Sequence, residues 1–138
     1  MREKIAVKRQ VRVVAAVIER EGKLLIGQRK TTNRHPLKWE FPGGKVEPRE
    51  EPRLALLREL REELAIEAVI GEEILRYEHR YPRRTPLLLI FYRVREFTGE
   101  PANLVFEQIV LESPEDLLHY DFLDGDADFV RRLAKGLT

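Results

Sequence analysis

Three glutamates, Glu59, Glu62 and Glu63, stand within five residues of one another in the run Leu54-Ala55-Leu56-Leu57-Arg58-Glu59-Leu60-Arg61-Glu62-Glu63-Leu64. On an α-helix each residue advances by about 100°, so with Glu59 at zero, Glu63 falls at about +40° and Glu62 at about −60°. The carboxylates therefore share one sector, and Arg58 flanks it about 40° from Glu62. Crowded carboxylates repel one another, and a divalent cation relieves that repulsion. Hard oxygen donors suit Mg2+ or Mn2+, with water and phosphate oxygens completing the shell. The same pattern also fits a solvated acidic face with i,i+4 pairs such as Arg58 with Glu62, contributing about 0.3–0.5 kcal/mol each. The upstream Pro42-Gly43-Gly44 adds to the ligand reading, because glycines let backbone polar groups approach closely.

Other elements must hold this helix in place. Leu54, Leu57, Leu60 and Leu64 lie at about 100–220°, which predicts a core-facing side opposite the acidic one. Pro52 suits the first turn, with Glu50 and Glu51 on its acidic approach. Upstream, the β-branched stretch 11–18, a turn at 19–22 and the stretch 23–29 read as a β-hairpin, and 30–38 as a loop. Downstream, 67–70 and 74–81 have mixed strand character, 87–94 suits a buried strand, and 104–111 predicts another. Ser113-Pro114 signals a helix start, and a last helix covers 127–135 before Gly136. This order favours a mixed α/β or α+β domain.

Gly44, Glu50, Arg58, Glu59, Leu60, Glu62, Glu63 and Ile66 resemble the Nudix box: Gly, five residues, Glu, seven residues, Arg-Glu-aliphatic, one residue, Glu-Glu, one residue, Gly, aliphatic. Only the last Gly departs, with Ala65 in its place. The run Trp39-Glu40-Phe41-Pro42-Gly43-Gly44-Lys45-Val46-Glu47 is similar to the MutT-like branch, and a weaker likeness extends over 11–133. The resemblance implies the Nudix fold, a mixed curved β-sheet sandwiched between α-helices, in a single Nudix hydrolase domain over 1–138. It implies Mg2+-dependent (or Mn2+-dependent) hydrolysis of a nucleoside triphosphate to the monophosphate and pyrophosphate. Oxidised 8-oxo-dGTP, a DNA-repair substrate, stands first. CTP or modified pyrimidine nucleotides come second, and ADP-ribose or dinucleoside polyphosphates further behind. A non-catalytic Nudix-fold module is disfavoured by the retained carboxylates.

By the same resemblance Glu59, Glu62, Glu63 and the carbonyl of Gly44 would be metal ligands, Arg58 would orient the carboxylates, and Glu50 would support them. The general base would be a box carboxylate or Glu107. Arg29 would contact phosphate or base. Phe41 and Phe91 would line a base pocket or belong to the core. The stretch Asp121-Phe122-Leu123-Asp124-Gly125-Asp126 is similar to the branch's late base-recognition segment, which puts Asp126 at the base. An ionised Asp only accepts hydrogen bonds, so it would favour a base edge offering donors, and 8-oxoguanine and cytosine both stay open. Three departures bear on geometry: Ala65, Arg49 where Gly is common, and Leu123-Asp124 in place of Pro-Pro. Ala at a positive-φ exit costs about 1 kcal/mol, so the helix is expected to end a residue or two differently.

Composition bounds the remaining classes. Lys and Arg number 25 against 24 Asp and Glu, a net charge of +1 over 138 residues, which gives no case for duplex nucleic acid. The absence of cysteine excludes disulfides, thiolate metal sites and cysteine nucleophiles. The longest apolar runs, 13–18 and 87–92, fall far short of the roughly 20 residues of a membrane helix. The expectation is a cytoplasmic enzyme acting on a small nucleotide, with its oligomeric state open. His35, His79 and His119 lack metal-ligand spacing and read as structural or surface residues, and Trp39 as a packing anchor. The basic start, Arg2, Lys4, Lys8, Arg9 and Arg12, reads as a solvated tail and strand face.

Overall fold

The β-branched stretch forms strand β1 (Val11–Arg20), which turns back through Glu21-Gly22 into β2 (Lys23–Gln28). Both turn residues have positive φ, 52° and 79°, as a tight two-residue hairpin loop requires. The computed structural model describes residues 10–137, so Arg2, Lys4, Lys8 and Arg9 lie outside the described residues.

Strand β1 organises the rest. It runs parallel to β7 (Leu87–Val94), from Val11 opposite Leu87 to Ile18 opposite Val94, and β6 (Glu73–His79) adds antiparallel to β7. Its other edge is divided. Val13 to Ala15 pair with β4 (Gly43–Lys45), while Glu19 and Arg20 pair with β2. Strand β2 also carries β3 (Trp39–Glu40) and β9 (Gln108–Glu112), and all seven strands form one mixed sheet. A separate antiparallel pair joins β5 (Glu67–Val69) to β8 (Glu96–Thr98).

Two helices cover the sheet, α1 (Pro52–Leu64) and α2 (Ala127–Ala134). The period-2 alternation of the strands sorts their side chains between them. Val14, Ala16, Ile18, Ile90 and Tyr92 pack with Leu56, Leu60 and Leu64 of α1. Val17, Leu89 and Phe91 pack with Phe129, Val130 and Leu133 of α2. Each fully buried leucine of α1 contributes about 1.5–3 kcal/mol. No described helix is long and apolar enough to cross a membrane.

Several expectations need correction. Leu54 is 60% exposed, whereas Ala55 and Leu56 are fully buried. The packed face of α1 thus centres at about +50° and includes the directions of Glu59 and Glu63. These acids sit on the face that meets the sheet, not on a solvated face. Residues 104–107 form a loop rather than the start of a strand, because Asn103 holds Phe106 through two bonds. Its Nδ2 donates to the Phe106 carbonyl (2.9 Å), and its Oδ1 accepts from the Phe106 amide (2.8 Å). The Ser113-Pro114 signal opens a 3-10 turn (Pro114–His119), with the Ser113 hydroxyl bonded to Asp116 (2.9 Å) instead of to the backbone. Ala65 does not move the helix end. It adopts the left-handed conformation itself (φ 58°, ψ 37°), and its amide donates to the Arg61 carbonyl.

Candidate active site

Helix α1 is fixed at both ends. The Glu51 carboxylate accepts from the amides of Arg53 (2.9 Å) and Leu54 (3.3 Å), capping the first turn. At the other end the Ala102 amide donates to the Leu64 carbonyl (2.8 Å) and the Leu104 amide to that of Glu63 (3.1 Å). The loop after β8 is thereby tied to the helix that carries the acids.

The acids face strand β4. Glu63 Oε1 accepts from the Gly43 amide (3.1 Å), and Glu59 Oε2 accepts from Arg58 Nη1 (2.9 Å). A Cβ on Gly44 would lie 2.5 Å from the Glu59 carboxyl carbon, so that carboxylate rests against bare backbone. Arg58 also grips Glu50 with two bonds of 2.9 Å and donates to the Lys45 carbonyl (3.2 Å). Glu62 is the most exposed of the three acids and lies 3.7 Å from Arg58.

Glu59, Glu62 and Glu63 line a pocket of about 290 Å3 together with Val105 and Phe106. A larger cavity of about 630 Å3 adjoins it. Its walls are mostly apolar, with Ala15, Leu87, Leu89 and Phe91 among them; Asp126, Tyr81 and His35 add polar groups, and Arg34, Lys45 and Arg84 add positive charge. Arg29 and Glu40 line both spaces and form an ion pair of 3.0 Å between them. Strand pairing brings this wall together. Trp39 bridges to Phe122, the Trp39 amide bonds the Asp121 carbonyl (2.9 Å), and the Leu123 amide bonds the Trp39 carbonyl (3.0 Å). That register sets Glu40 of β3 beside the turn Asp124–Asp126.

Burial dominates the electrostatics. It raises the Glu63 carboxyl well above the usual range, with Glu40 and Glu59 adding like charge and the Gly43 amide opposing. Glu59 rises for the same first reason, against the pull of Arg58. Glu40 is also raised by burial, despite Arg29. Asp126 is pushed up to about 8 by burial and by Glu40, against the Phe41 amide and Arg29. Burial thus works against the ionised Asp126 expected from the sequence, and a protonated carboxyl there would donate as well as accept.

The donor set fits a hard divalent cation. Buried like charges held near backbone oxygen are what such an ion neutralises, and Glu59, Glu62, Glu63 and the Gly44 carbonyl are the residues that could hold it. Among the described residues no three acids or histidines already converge on one point, since Glu63 is turned to Gly43 and Glu59 to Arg58.

The family model for the NUDIX domain matches residues 8–133. The chain belongs to the Nudix family. It is 42% identical over 118 residues to a CTP pyrophosphohydrolase of Escherichia coli K12, covering 86% of this chain and 87% of that one. It is 39% identical over 95 residues to an 8-oxo-dGTP diphosphatase of Haemophilus influenzae, covering 68% and 69%. Among solved structures, the E. coli ORF135 protein superposes with a TM-score of 0.82 at 38% identity over 94% of this chain and 91% of that one. This is therefore a Nudix hydrolase, and its mixed sheet between helices is the fold that the resemblance implied.

Within the Nudix framework the two glycine departures keep glycine-like backbone. Arg49 has φ 67° and Ala65 φ 58°. Phe41 and Phe91 border the cavity while belonging to the core, with Phe91 stacked on Phe129 at 3.9 Å and Phe41 on Phe122 at 5.3 Å. Glu107 is exposed, bonds the Gln28 carbonyl through its amide (2.8 Å), and lines neither space. Sequence reasoning missed Glu40, Tyr81 and His35. An acid between two aromatics in Trp39-Glu40-Phe41 was a usable signal for Glu40; the other two carried none.

Proposed function

We propose that this chain is a Mg2+-dependent nucleoside triphosphate pyrophosphohydrolase, with Mn2+ as a substitute ion. Water adds across one phosphoanhydride bond to give a nucleoside monophosphate and pyrophosphate. The carrying observation is the common wall of Arg29 and Glu40, which joins an acidic pocket to an apolar cavity. A ligand with a flat, largely apolar base at one end and a polyanion at the other suits that pair of spaces.

In this reading Glu59, Glu62, Glu63 and the Gly44 carbonyl hold the ion, Arg58 orients Glu59, and Glu50 holds Arg58 in place. A bound divalent ion neutralises phosphate charge and makes a bound water more acidic. Arg29 meets the phosphates, Phe41 and Phe91 border the base, and Asp126 reads its edge. The proton of the attacking water passes to a box carboxylate, Glu59, Glu62 or Glu63; Glu107 lines neither space, and full turnover in Glu107→Gln would remove it as a base.

A neutral Asp126 presents a donor beside an acceptor, which complements the amino and ring-nitrogen edge of cytosine. The 42% identity to a CTP pyrophosphohydrolase over most of both chains puts CTP ahead of 8-oxo-dGTP. The second reading, 8-oxo-dGTP, is favoured by the 39% identity to an 8-oxo-dGTP diphosphatase. The deciding experiment compares kcat/KM for CTP, dCTP, 8-oxo-dGTP, dGTP and ADP-ribose with Mg2+, following pyrophosphate and monophosphate. CTP is expected to lead, with activity abolished by a chelator. A lead for 8-oxo-dGTP would select the second reading, and no pyrophosphate from any nucleotide would overturn both.

A further inference from the structure

The backbone of Gly125 has both its polar groups bonded to tyrosine hydroxyls of one hairpin. Tyr77, in β6, donates its hydroxyl to the Gly125 carbonyl (2.5 Å), and the Gly125 amide donates to the hydroxyl of Tyr81 (2.9 Å). Gly125 is buried and immediately precedes Asp126, and both border the large cavity. The approach depends on the missing side chain, because a Cβ there would lie 3.2 Å from the Tyr81 hydroxyl and 3.3 Å from both His79 and Leu89. Tyr81 is itself held in place. Its ring lies 4.8 Å from that of His35, in the loop between β2 and β3, and 4.5 Å edge-on to His79. Burial raises both hydroxyls above the usual phenol range, so they stay protonated.

We propose that Tyr77 and Tyr81 are positioning residues that set nucleobase preference, by clamping the two peptides that flank Gly125 and with them the carboxyl of Asp126. The inference rests on the reading of Asp126 as the base-contacting group. The turn Asp124–Asp126 is a single short 3-10 turn with no side-chain cap; the Asp126 amide bonds the Leu123 carbonyl (2.9 Å) and the Phe41 amide bonds the Asp126 carboxyl, and the tyrosines add the hold on Gly125 from outside the turn. The Tyr77 bond falls on the Gly125–Asp126 peptide and the Tyr81 bond on the Asp124–Gly125 peptide, so rotation on both sides of Gly125 is restricted, and a fixed donor–acceptor pair discriminates between base edges where a mobile one does not.

The test removes the hydroxyls and keeps the rings. Tyr81→Phe and Tyr77→Phe should each raise KM for the preferred nucleotide about 5- to 30-fold, the scale of one lost hydrogen bond, with kcat within about twofold. The ratio of kcat/KM between CTP and 8-oxo-dGTP should narrow by a similar factor. Tyr81→Leu, which also loses the ring contacts, should narrow it no further. A second measurement needs no substrate: the 13C shift of the Asp126 carboxyl should move in both Phe variants. It should stay put in Tyr120→Phe, which loses only a bond to Glu112 outside the cavity. Unchanged preference and an unmoved carboxyl signal in both Phe variants overturn the clamp. Loss confined to Tyr81→Leu overturns it too, by assigning the effect to ring packing. Wild-type enzyme inactive on every nucleotide, with the carboxyl signal still moving in the Phe variants, would count against the nucleotide reading instead.

Discussion

Arg58 Nε and Nη2 each lie 2.9 Å from one oxygen of Glu50, a two-point grip across eight residues that fastens the loop before α1 to the helix. The same guanidinium reaches Glu59 with Nη1 at 2.9 Å. Arg58 is thus shared between a structural acid and a site acid. Its planar fork makes both contacts at once, which a lysine ammonium would not reproduce.

This grip has a pH signature. Arg58 and the Glu47 amide hold the Glu50 carboxyl down to about 2, from an ordinary value of 4.5. A depressed carboxylate contributes stability above 4.5 that is lost as pH falls towards 2. Glu50→Gln should therefore lower the thermal midpoint at neutral pH, and the gap to wild type should close over that acidic window. Calorimetry between neutral pH and the acid limit checks this; a gap independent of pH would contradict it.

Ala65 occupies a conformation that favours glycine, with φ 58°. The left-handed backbone costs a non-glycine residue roughly 1–2 kcal/mol, and the extra freedom of unfolded glycine returns part of that. Ala65→Gly should thus stabilise by about 0.5–1 kcal/mol, or raise the midpoint by about 2–5 °C. Denaturant titration gives the sign directly.

The two adjacent glycines should respond differently to alanine. At Gly43 a Cβ would fall 1.9 Å from the Val14 carbonyl oxygen, a backbone atom of a core strand. Gly43→Ala should cost on the order of 3 kcal/mol or more and leave little folded protein. At Gly44 the obstacle is the end of the Glu59 side chain, which can swing aside. Gly44→Ala should fold and lose turnover, as read by circular dichroism beside pyrophosphate release.

Metal binding can be read without catalysis. Glu62 is exposed, so Glu62→Gln should leave the metal-free midpoint within about 1 °C, the small scale of a surface change. Wild type should gain midpoint on addition of Mg2+ and the variant much less, with turnover lower by orders of magnitude. Equal Mg2+ shifts in the two proteins would remove Glu62 from the ligand set.

Asp126 should impose an alkaline limit. Its folded value of about 8 lies above the ordinary 3.8, so the folded state binds more protons between these values and stability falls as pH rises through the window. The donor face of the acid is lost over the same upper limb. Asp126→Asn has no such titration, so relative to wild type it should gain stability up to about pH 8. Its KM should also stay flat where that of wild type rises. Parallel pH profiles of KM for CTP decide the point.

What could be read from the sequence follows from how local each feature is. The spacing of Glu59, Glu62 and Glu63 is a property of one helix, so periodicity located them. The same periodicity misplaced Leu54 because it treated the acids as a solvent face, although Glu59 and Glu63 look towards β4. Glu40, Tyr81 and Asp126 come from three distant segments, joined by the Trp39–Phe122 bridge and the tyrosine contacts to Gly125. No local pattern encodes that register. Strand 104–111 was expected four residues too early because apolar content was visible and the Asn103 clamp on Phe106 was not.

The Arg29–Glu40 pair is a partition with two exposed sides. Any group that draws Arg29 towards a polyanion leaves Glu40 less compensated, and Glu40 in turn bears on the protonation of Asp126. On the proposed nucleotide reading, the two ends of the ligand would then not bind as independent events. Their affinities are linked, and by thermodynamic reciprocity whatever the phosphate end changes at the base end, the base end changes equally at the phosphates.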